Sequence, residues 1–208
     1  MENDIVYFFG LGCCPSELDG TEHVYNETGV TLPKNFSYVG VMPPVLNQGR
    51  TNKCVCYSLT AYLDWRKNCK EGDNDGSQFS IDELYDIRMN KPQDNGMQIK
   101  EALRYLRHTG LNGMKINEYA LVKSVDAVKE SLVLNGPCPA GLPFFSSQEE
   151  FWKHGNKMFG GHCILFVGYN EEGFILRNSW GSRYADNGYI IFPYEDFASK
   201  VFECWTIV

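Results

Sequence analysis

The sequence predicts an α+β fold in one compact unit, with helices and strands in separate layers. Three observations carry this. Apolar residues recur at helical spacing through the first half of the chain. Short β-branched and aromatic runs, separated by Gly, Asn and Asp, fill the second half. Helices first and strands later imply segregated layers rather than alternating βαβ units. At 208 residues with 43% hydrophobic and 22% charged residues, the chain has enough apolar material for a full core.

Residues 1–31 lack sustained periodicity and are rich in Gly, Glu, Asp and Asn. The first helix starts near Thr51 or Asn52, buries Leu59, Tyr62, Leu63 and Trp65 on one side, and stops at Gly72. Ser80-Ile81-Asp82-Glu83 has the form of a capping box and opens a second helix. Ile99, Ala102, Leu103 and Leu106 share the face of a third, closed by Gly110. Ser124 caps a fourth that presents Val125, Val128 and Leu132 and ends before Gly136. Strands are predicted over Ile164–Tyr169, Gly173–Arg177, Gly188–Phe192 and Cys204–Val208. A cleft between the two halves is the natural place for a site.

Several classes are excluded or disfavoured. A net charge of −7 argues against phosphate-backbone binding, so no nucleic-acid partner is expected. The acidic start Met1-Glu2-Asn3-Asp4 and the short apolar run Ile5–Phe9 do not make a secretory signal, and no apolar run reaches membrane-spanning length. The expectation is a soluble protein without membrane partner, cytoplasmic or virion-associated rather than secreted. Eight cysteines are present, but their spacing has no zinc pattern, and no metal or cofactor is called for. Cys56, Cys138, Cys163 and Cys204 sit in apolar stretches and read as buried thiols.

Three segments carry chemistry. In Gln48-Gly49-Arg50-Thr51-Asn52-Lys53-Cys54, a cysteine stands at a helix start, where free N–H groups and the helix dipole favour thiolate. In Gly160-Gly161-His162-Cys163, a histidine opens an apolar strand beside two glycines. By itself it could equally be a satisfied core histidine. In Arg177-Asn178-Ser179-Trp180-Gly181, an asparagine at a strand end can fix an imidazole tautomer, and a tryptophan can shield that bond. Alone it could be an ordinary turn.

Taken together, in the order Cys, His, Asn, these segments resemble the motifs of the papain-like cysteine peptidases, a family that serves as a standard template for such triads. Gln48-Gly49 with Cys54 six residues after Gln48 resembles the oxyanion-glutamine and nucleophile motif. Gly161-His162 followed by Gly168-Tyr169 is similar to the histidine motif, and Asn178-Ser179-Trp180-Gly181 with Asn187-Gly188-Tyr189 to the asparagine motif. Leu32-Pro33-Lys34-Asn35-Phe36 resembles a mature-domain start, and Phe79–Leu84 a family helix start. Asn95-Gly96-Met97 stands where the family has a glycine-rich cleft wall. The likeness covers residues 32–208.

Departures from the pattern suggest a compact bacterial or viral type. Val55 stands where many members have Trp, Thr51 where many have a disulfide cysteine, Asn52-Lys53 where Gly-Ser is usual, and Met97 where a cleft-wall glycine is usual. The interval from Cys54 to His162 is also shorter than the ~130 residues or more of the family signature.

The resemblance implies a papain-like fold: a helical subdomain, an antiparallel β-barrel-like subdomain, and an active-site cleft between them. It implies hydrolysis of peptide bonds in peptide or protein substrates by acyl transfer. Cys54 is the nucleophile, His162 its acid/base partner, Asn178 the orienting residue and Gln48 an oxyanion donor. Gly96, Met97, Ile99, Gly161, Cys163 and Trp180 are the implied substrate-binding residues, with Glu203 or Cys204 closing the pocket. It further implies a precursor, in which residues 1–31 form an inhibitory leader, Tyr7–Pro15 lie at or near the cleft, Cys13 or Cys14 approaches Cys54 and caps it as a disulfide, and cleavage falls close before Leu32; the alternative is a leader packed on the back of the domain for stability alone. Alternatives are a transglutaminase-like enzyme, a leader peptidase, or an inactive binding protein on the same fold.

Overall fold

The structure is a computed structural model. It describes residues 10–71, 78–91, 93, 95–153 and 155–208, the side chains of residues 70 and 71 excepted. The Ile5–Phe9 run, Tyr7–Phe9 of the expected cleft segment and the Gly72 helix stop lie outside the described residues.

The predicted helices form where the apolar spacing and caps place them. Helix α1 runs Cys54–Glu71 and carries Leu59, Tyr62, Leu63 and Trp65 into the core. Helix α2 (Ile81–Tyr85) is capped as the box implies, with Ser80 Oγ accepting from the Glu83 N–H. A two-residue strand β3 (Met97–Gln98) leads directly into α3 (Ile99–His108), whose buried side is Ile99, Ala102, Leu103 and Leu106. Helix α4 (Val125–Leu134) starts at Ser124, whose hydroxyl accepts from the Ala127 N–H.

The second half forms one antiparallel sheet. Strand β4 (Tyr119–Leu121) pairs β9 (Glu203–Ile207), β9 pairs β5 (Cys138–Phe144), β5 pairs β6 (Gly160–Tyr169), β6 pairs β7 (Gly173–Arg177), and β7 pairs β8 (Tyr189–Pro193). The short β2 (Phe36–Ser37) also joins β6, and a one-turn α5 (Phe197–Lys200) precedes β9. Strand β5 was not anticipated from the sequence, yet it lies between β9 and β6.

Two apolar clusters fill the molecule. One joins α1 and α3 to the inner residues Cys163, Leu165 and Val167 of β6. The other lies on the opposite face of the sheet, around Phe144, Trp152, Phe166, Phe174 and Phe192. Each fully buried Leu or Phe contributes about 1.5–3 kcal/mol of transfer free energy. The helical layer and the sheet therefore each have their own core, and β6 belongs to both. The start of β6 and the first turn of α1 meet where the two halves join. This is the α+β architecture the sequence predicts.

A third feature concerns the leader. Strand β1 (Cys13–Cys14) pairs in parallel with β3, in register Cys13 with Met97 and Cys14 with Gln98. Further along, Val24 forms a parallel bridge to Leu121 at the edge of β4. No helix among the described residues is long and apolar enough to cross a membrane.

Candidate active site

Cys54 is the first residue of α1, and its side chain is 0% exposed. Its Sγ accepts the backbone N–H of Cys163 at 3.3 Å, which places it against the start of β6, next to His162. Ser58, one turn along α1, donates to the Cys163 carbonyl at 3.1 Å and fixes helix to strand.

His162 and Asn178 meet because β6 and β7 are antiparallel neighbours: the end of β7 returns to where β6 begins. His162 Nε2 and Asn178 Oδ1 are 2.8 Å apart. An amide oxygen only accepts, so Nε2 carries the proton and Nδ1 keeps its lone pair. Trp180 stacks on the imidazole at 4.4 Å between centroids, and Phe151 meets it edge-on at 5.3 Å. Both rings keep water from the His162–Asn178 bond. The Ser179 backbone N–H also donates to Asn178 Oδ1, at 2.7 Å, and holds the amide in this orientation.

Gln48 comes from a loop stitched to the same corner. Its backbone N–H donates to the Ser179 carbonyl at 2.8 Å, and Asn47 bridges Trp180. Ser179 Oγ donates to Gln48 Oε1, which turns Nε2 toward the cleft. The four residues predicted for the chemistry, Cys54, His162, Asn178 and Gln48, are thus brought together.

The leader runs through this site. Gln48 Nε2 donates to the Gly10 carbonyl at 2.9 Å, and Trp180 Nε1 donates to the same oxygen at 3.3 Å. The Gly10 N–H donates to the Gly49 carbonyl, and the Gly12 N–H to the Gly161 carbonyl. The Met97 N–H donates to the Gly12 carbonyl at 2.8 Å. The slot has no room for side chains here. A Cβ on Gly10 would stand 1.9 Å from the Thr51 carbonyl oxygen, and one on Gly96 would stand 2.0 Å from that of Gly12. Glycines at 10 and 96 allow the two backbones to touch.

Of the predicted binding residues, Gly96, Met97, Gly161 and Cys163 line the leader's path, and Trp180 reaches Gly10. Met97 does not block backbone recognition: its N–H serves the leader while its sulfur lies inward, 3.7 Å from Cys56 Sγ. Ile99 is fully buried in the helical core. Between Glu203 and Cys204, Glu203 faces the cleft. Its Oε1 accepts from the Ser16 N–H of the leader at 3.0 Å, whereas Cys204 turns toward Cys138. Of the two leader cysteines, Cys13 is the one turned inward, 3% exposed and against Cys163, while Cys14 donates its thiol hydrogen to the Asn95 carbonyl. All eight cysteines are free thiols.

Sequence reasoning placed the segment containing Gly10 at the cleft but missed the particular roles of Ser179, Phe151 and Gly10. Ser179 lies inside a recognised motif, and its role needed the position of Gln48. Phe151 has no local signal. Gly10 and Gly12 are visible as a pair, but the slot they fit is tertiary.

Electrostatically, this is a neutral site. Burial pushes the Cys54 thiol well above its ordinary range, with Cys163 adding to the effect and its N–H opposing it. Burial lowers His162 to about 4, and the Asn178 bond only partly offsets this. His162 Nδ1 has no hydrogen-bond partner among the described residues. With the leader in place, thiol and imidazole are both uncharged and not bonded to each other. Among the described residues no cluster suits a metal ion.

Comparison with known proteins supports the resemblance drawn from the sequence motifs. A family model described as papain family cysteine protease matches residues 112–200, which include His162 and Asn178. Over this span, under half of its length, the chain is similar to the papain family cysteine proteases. Papain of Carica papaya is 22% identical over 199 residues, covering 81% of this chain and 57% of papain. Cysteine proteinase 3 of Entamoeba histolytica is 23% identical, covering 76% of this chain and 62% of that protein. The chain thus spans about three fifths of the length of the curated relatives it matches. Among solved structures, xylellain, a cysteine protease from Xylella fastidiosa, superposes with a TM-score of 0.81 at 23% identity, covering 96% of both chains. That likeness shows the fold. The matching span also fits the compact papain-like architecture.

Proposed function

We propose that this chain is a cysteine endopeptidase held in a precursor state by its own N-terminal segment. The observation that carries this is the convergence on one corner of Cys54 at a helix start, the His162–Asn178 pair, and Gln48 directed at a carbonyl oxygen. That carbonyl belongs to Gly10, and it stands where a substrate's developing oxyanion would lie.

In the open enzyme, water returns to the cleft and the burial that keeps both groups neutral is relieved. His162 Nδ1 then accepts the Cys54 proton, giving a thiolate–imidazolium pair. The thiolate attacks a peptide carbonyl. Gln48 Nε2, held by Ser179, and the Cys54 N–H at the α1 start receive the oxyanion. The imidazolium protonates the leaving amine, and the neutral ring then activates water to release the acyl group. Asn178 holds the ring throughout. Peptide segments are the substrates this cleft fits, since it already accommodates the backbone of residues 10–14 through N–H and C=O contacts.

The experiment is labelling with a thiol-reactive peptide probe. Strong labelling of the leader-released form, weak labelling of the full chain and none of Cys54→Ala is the expected pattern. Absence of labelling in every leader-released form would overturn the endopeptidase reading.

A further inference from the structure

The leader has two parts with different attachments. Residues 10–16 fill the cleft, ending where the Ser16 N–H meets Glu203 and Ser16 Oγ accepts from the Lys100 N–H. Residues 22–29 are built into the catalytic domain. The Leu121 N–H donates to the His23 carbonyl and the Tyr25 N–H to the Leu121 carbonyl, each at 2.8 Å, so this stretch extends the sheet beyond β4. Glu22 pairs with Lys100 and is nearly buried.

Glu130 on α4 is the strongest attachment. Its carboxylate belongs to a residue only 3% exposed. It accepts from Tyr25 Oη at 3.0 Å, the Thr28 N–H at 2.6 Å and the Gly29 N–H at 3.0 Å. Among the described residues, every hydrogen bond to this carboxylate comes from the leader. These bonds hold the Glu130 carboxyl below its ordinary range. Removing residues 22–29 would strip the Glu130 carboxylate of these donors and uncover both it and the outer edge of β4.

Between the two parts lies a bend, Glu17-Leu18-Asp19-Gly20-Thr21, all of it exposed, with Leu18 at 47%. The hydrogen bonds of residues 19–21 are local, made within the turn to Asp19 and Glu22. Exposed loop tips of this kind are preferred sites of proteolytic nicking.

We propose that the bend at residues 17–21 is the processing site of this protein, and that residues 22–31 stay as a permanent part of the active domain. The inference rests on the leader-inhibitor reading above. Water adds across one peptide bond of the bend, the C–N bond breaks, and a new carboxylate and a new ammonium terminus form. Cys54 lies beneath the leader, so the first cut comes from another endopeptidase molecule or an already opened copy. Once cut, the cleft segment loses its covalent link to the anchor and with it the high effective concentration that keeps it seated. A cut before Leu32 lacks this result, because cleft segment and anchor would still be joined and still held at both places.

The test places a recognition sequence for a site-specific endopeptidase between Leu18 and Asp19 of the full chain, and in a second variant between Thr31 and Leu32. Thiol-probe labelling of Cys54, the masses of retained fragments and the melting temperature are followed before and after cutting. The cut after Leu18 is expected to raise the labelling rate at least about tenfold, with residues 19–31 retained and the melting temperature unchanged. The cut before Leu32 is expected to leave labelling low. If the cut before Leu32 releases activity and the cut after Leu18 does not, the bend is not the processing site, while the inhibitor reading survives. If both uncut chains already label at the full rate, the inhibitor reading falls and takes this proposal with it. Glu130→Gln gives an independent check: amide exchange over residues 22–29 should accelerate, and unchanged exchange would overturn the anchor.

Discussion

Gln48 Nε2 lies 2.9 Å from the carbonyl oxygen of Gly10, so the donor assigned to the oxyanion is already engaged by the protein's own chain. The same oxygen accepts from Trp180. In the proposed precursor, the leader thus occupies the chemical centre as well as the subsites around it.

Gly10→Ala is the simplest challenge to that contact. Its Cβ would meet the Thr51 carbonyl at 1.9 Å, a backbone atom that cannot yield cheaply. The full-length variant should therefore label and cleave faster than the parent, with little change in the domain's melting temperature. Unaltered latency would show that the glycine is not what seats the leader.

Substitutions at the four chemical residues should separate by role in leader-released enzyme. Cys54→Ala and His162→Ala abolish peptide hydrolysis, because each takes part in bond making. Asn178→Ala keeps partial activity, since it only orients the ring. Steady-state kinetics on a fluorogenic peptide decide this, and normal turnover by Cys54→Ala would remove the mechanism.

Gln48→Ala should lower kcat by about 10²-fold with little change in KM, as expected of a donor that acts in the transition state. Ser179→Ala should lower kcat in the same direction but less, because Ser179 only turns the Gln48 amide. If Ser179→Ala changed KM alone, that positioning role would be wrong.

The buried histidine predicts a pH effect on the stability of the leader-bound chain. His162 titrates at about 4 when folded, against about 6.5 in an unfolded chain. Between those values the unfolded state binds more protons, so stability falls as pH drops from 6.5 toward 4 and is unaffected by this group above that window. The full contribution is about 3 kcal/mol. Melting temperature measured against pH, compared with His162→Gln, checks it. The parent's extra loss between pH 6.5 and 4 should vanish in the variant, and parallel curves would contradict the assignment.

How much of this was legible depends on how local each signal is. The four predicted helices have capping or periodic signals within a single turn or two, and all four formed. Strand β5 was missed because Cys138-Pro139-Ala140-Gly141-Leu142-Pro143-Phe144 carries two prolines and a glycine, which argue against an internal strand. It forms because both of its faces are covered and β6 pairs with its whole length. β4 and the leader strands are too short to show a period of two.

Cys54, His162, Asn178 and Gln48 could be named from the sequence because each sits in a short motif whose chemistry needs those residue types in that order. What the sequence could not supply was the company each keeps: Ser179 on the Gln48 amide, Phe151 against the His162 ring, Glu130 beneath residues 25–29. Nor could it show that Gly10 lies on Gln48. These pairings join residues 11 to 131 positions apart. Only the antiparallel return of β7 onto β6, and the passage of the leader between α1 and that sheet, bring them within hydrogen-bond reach. Hydrogen bonds act over about 3 Å and carry no trace in the spacing of the chain.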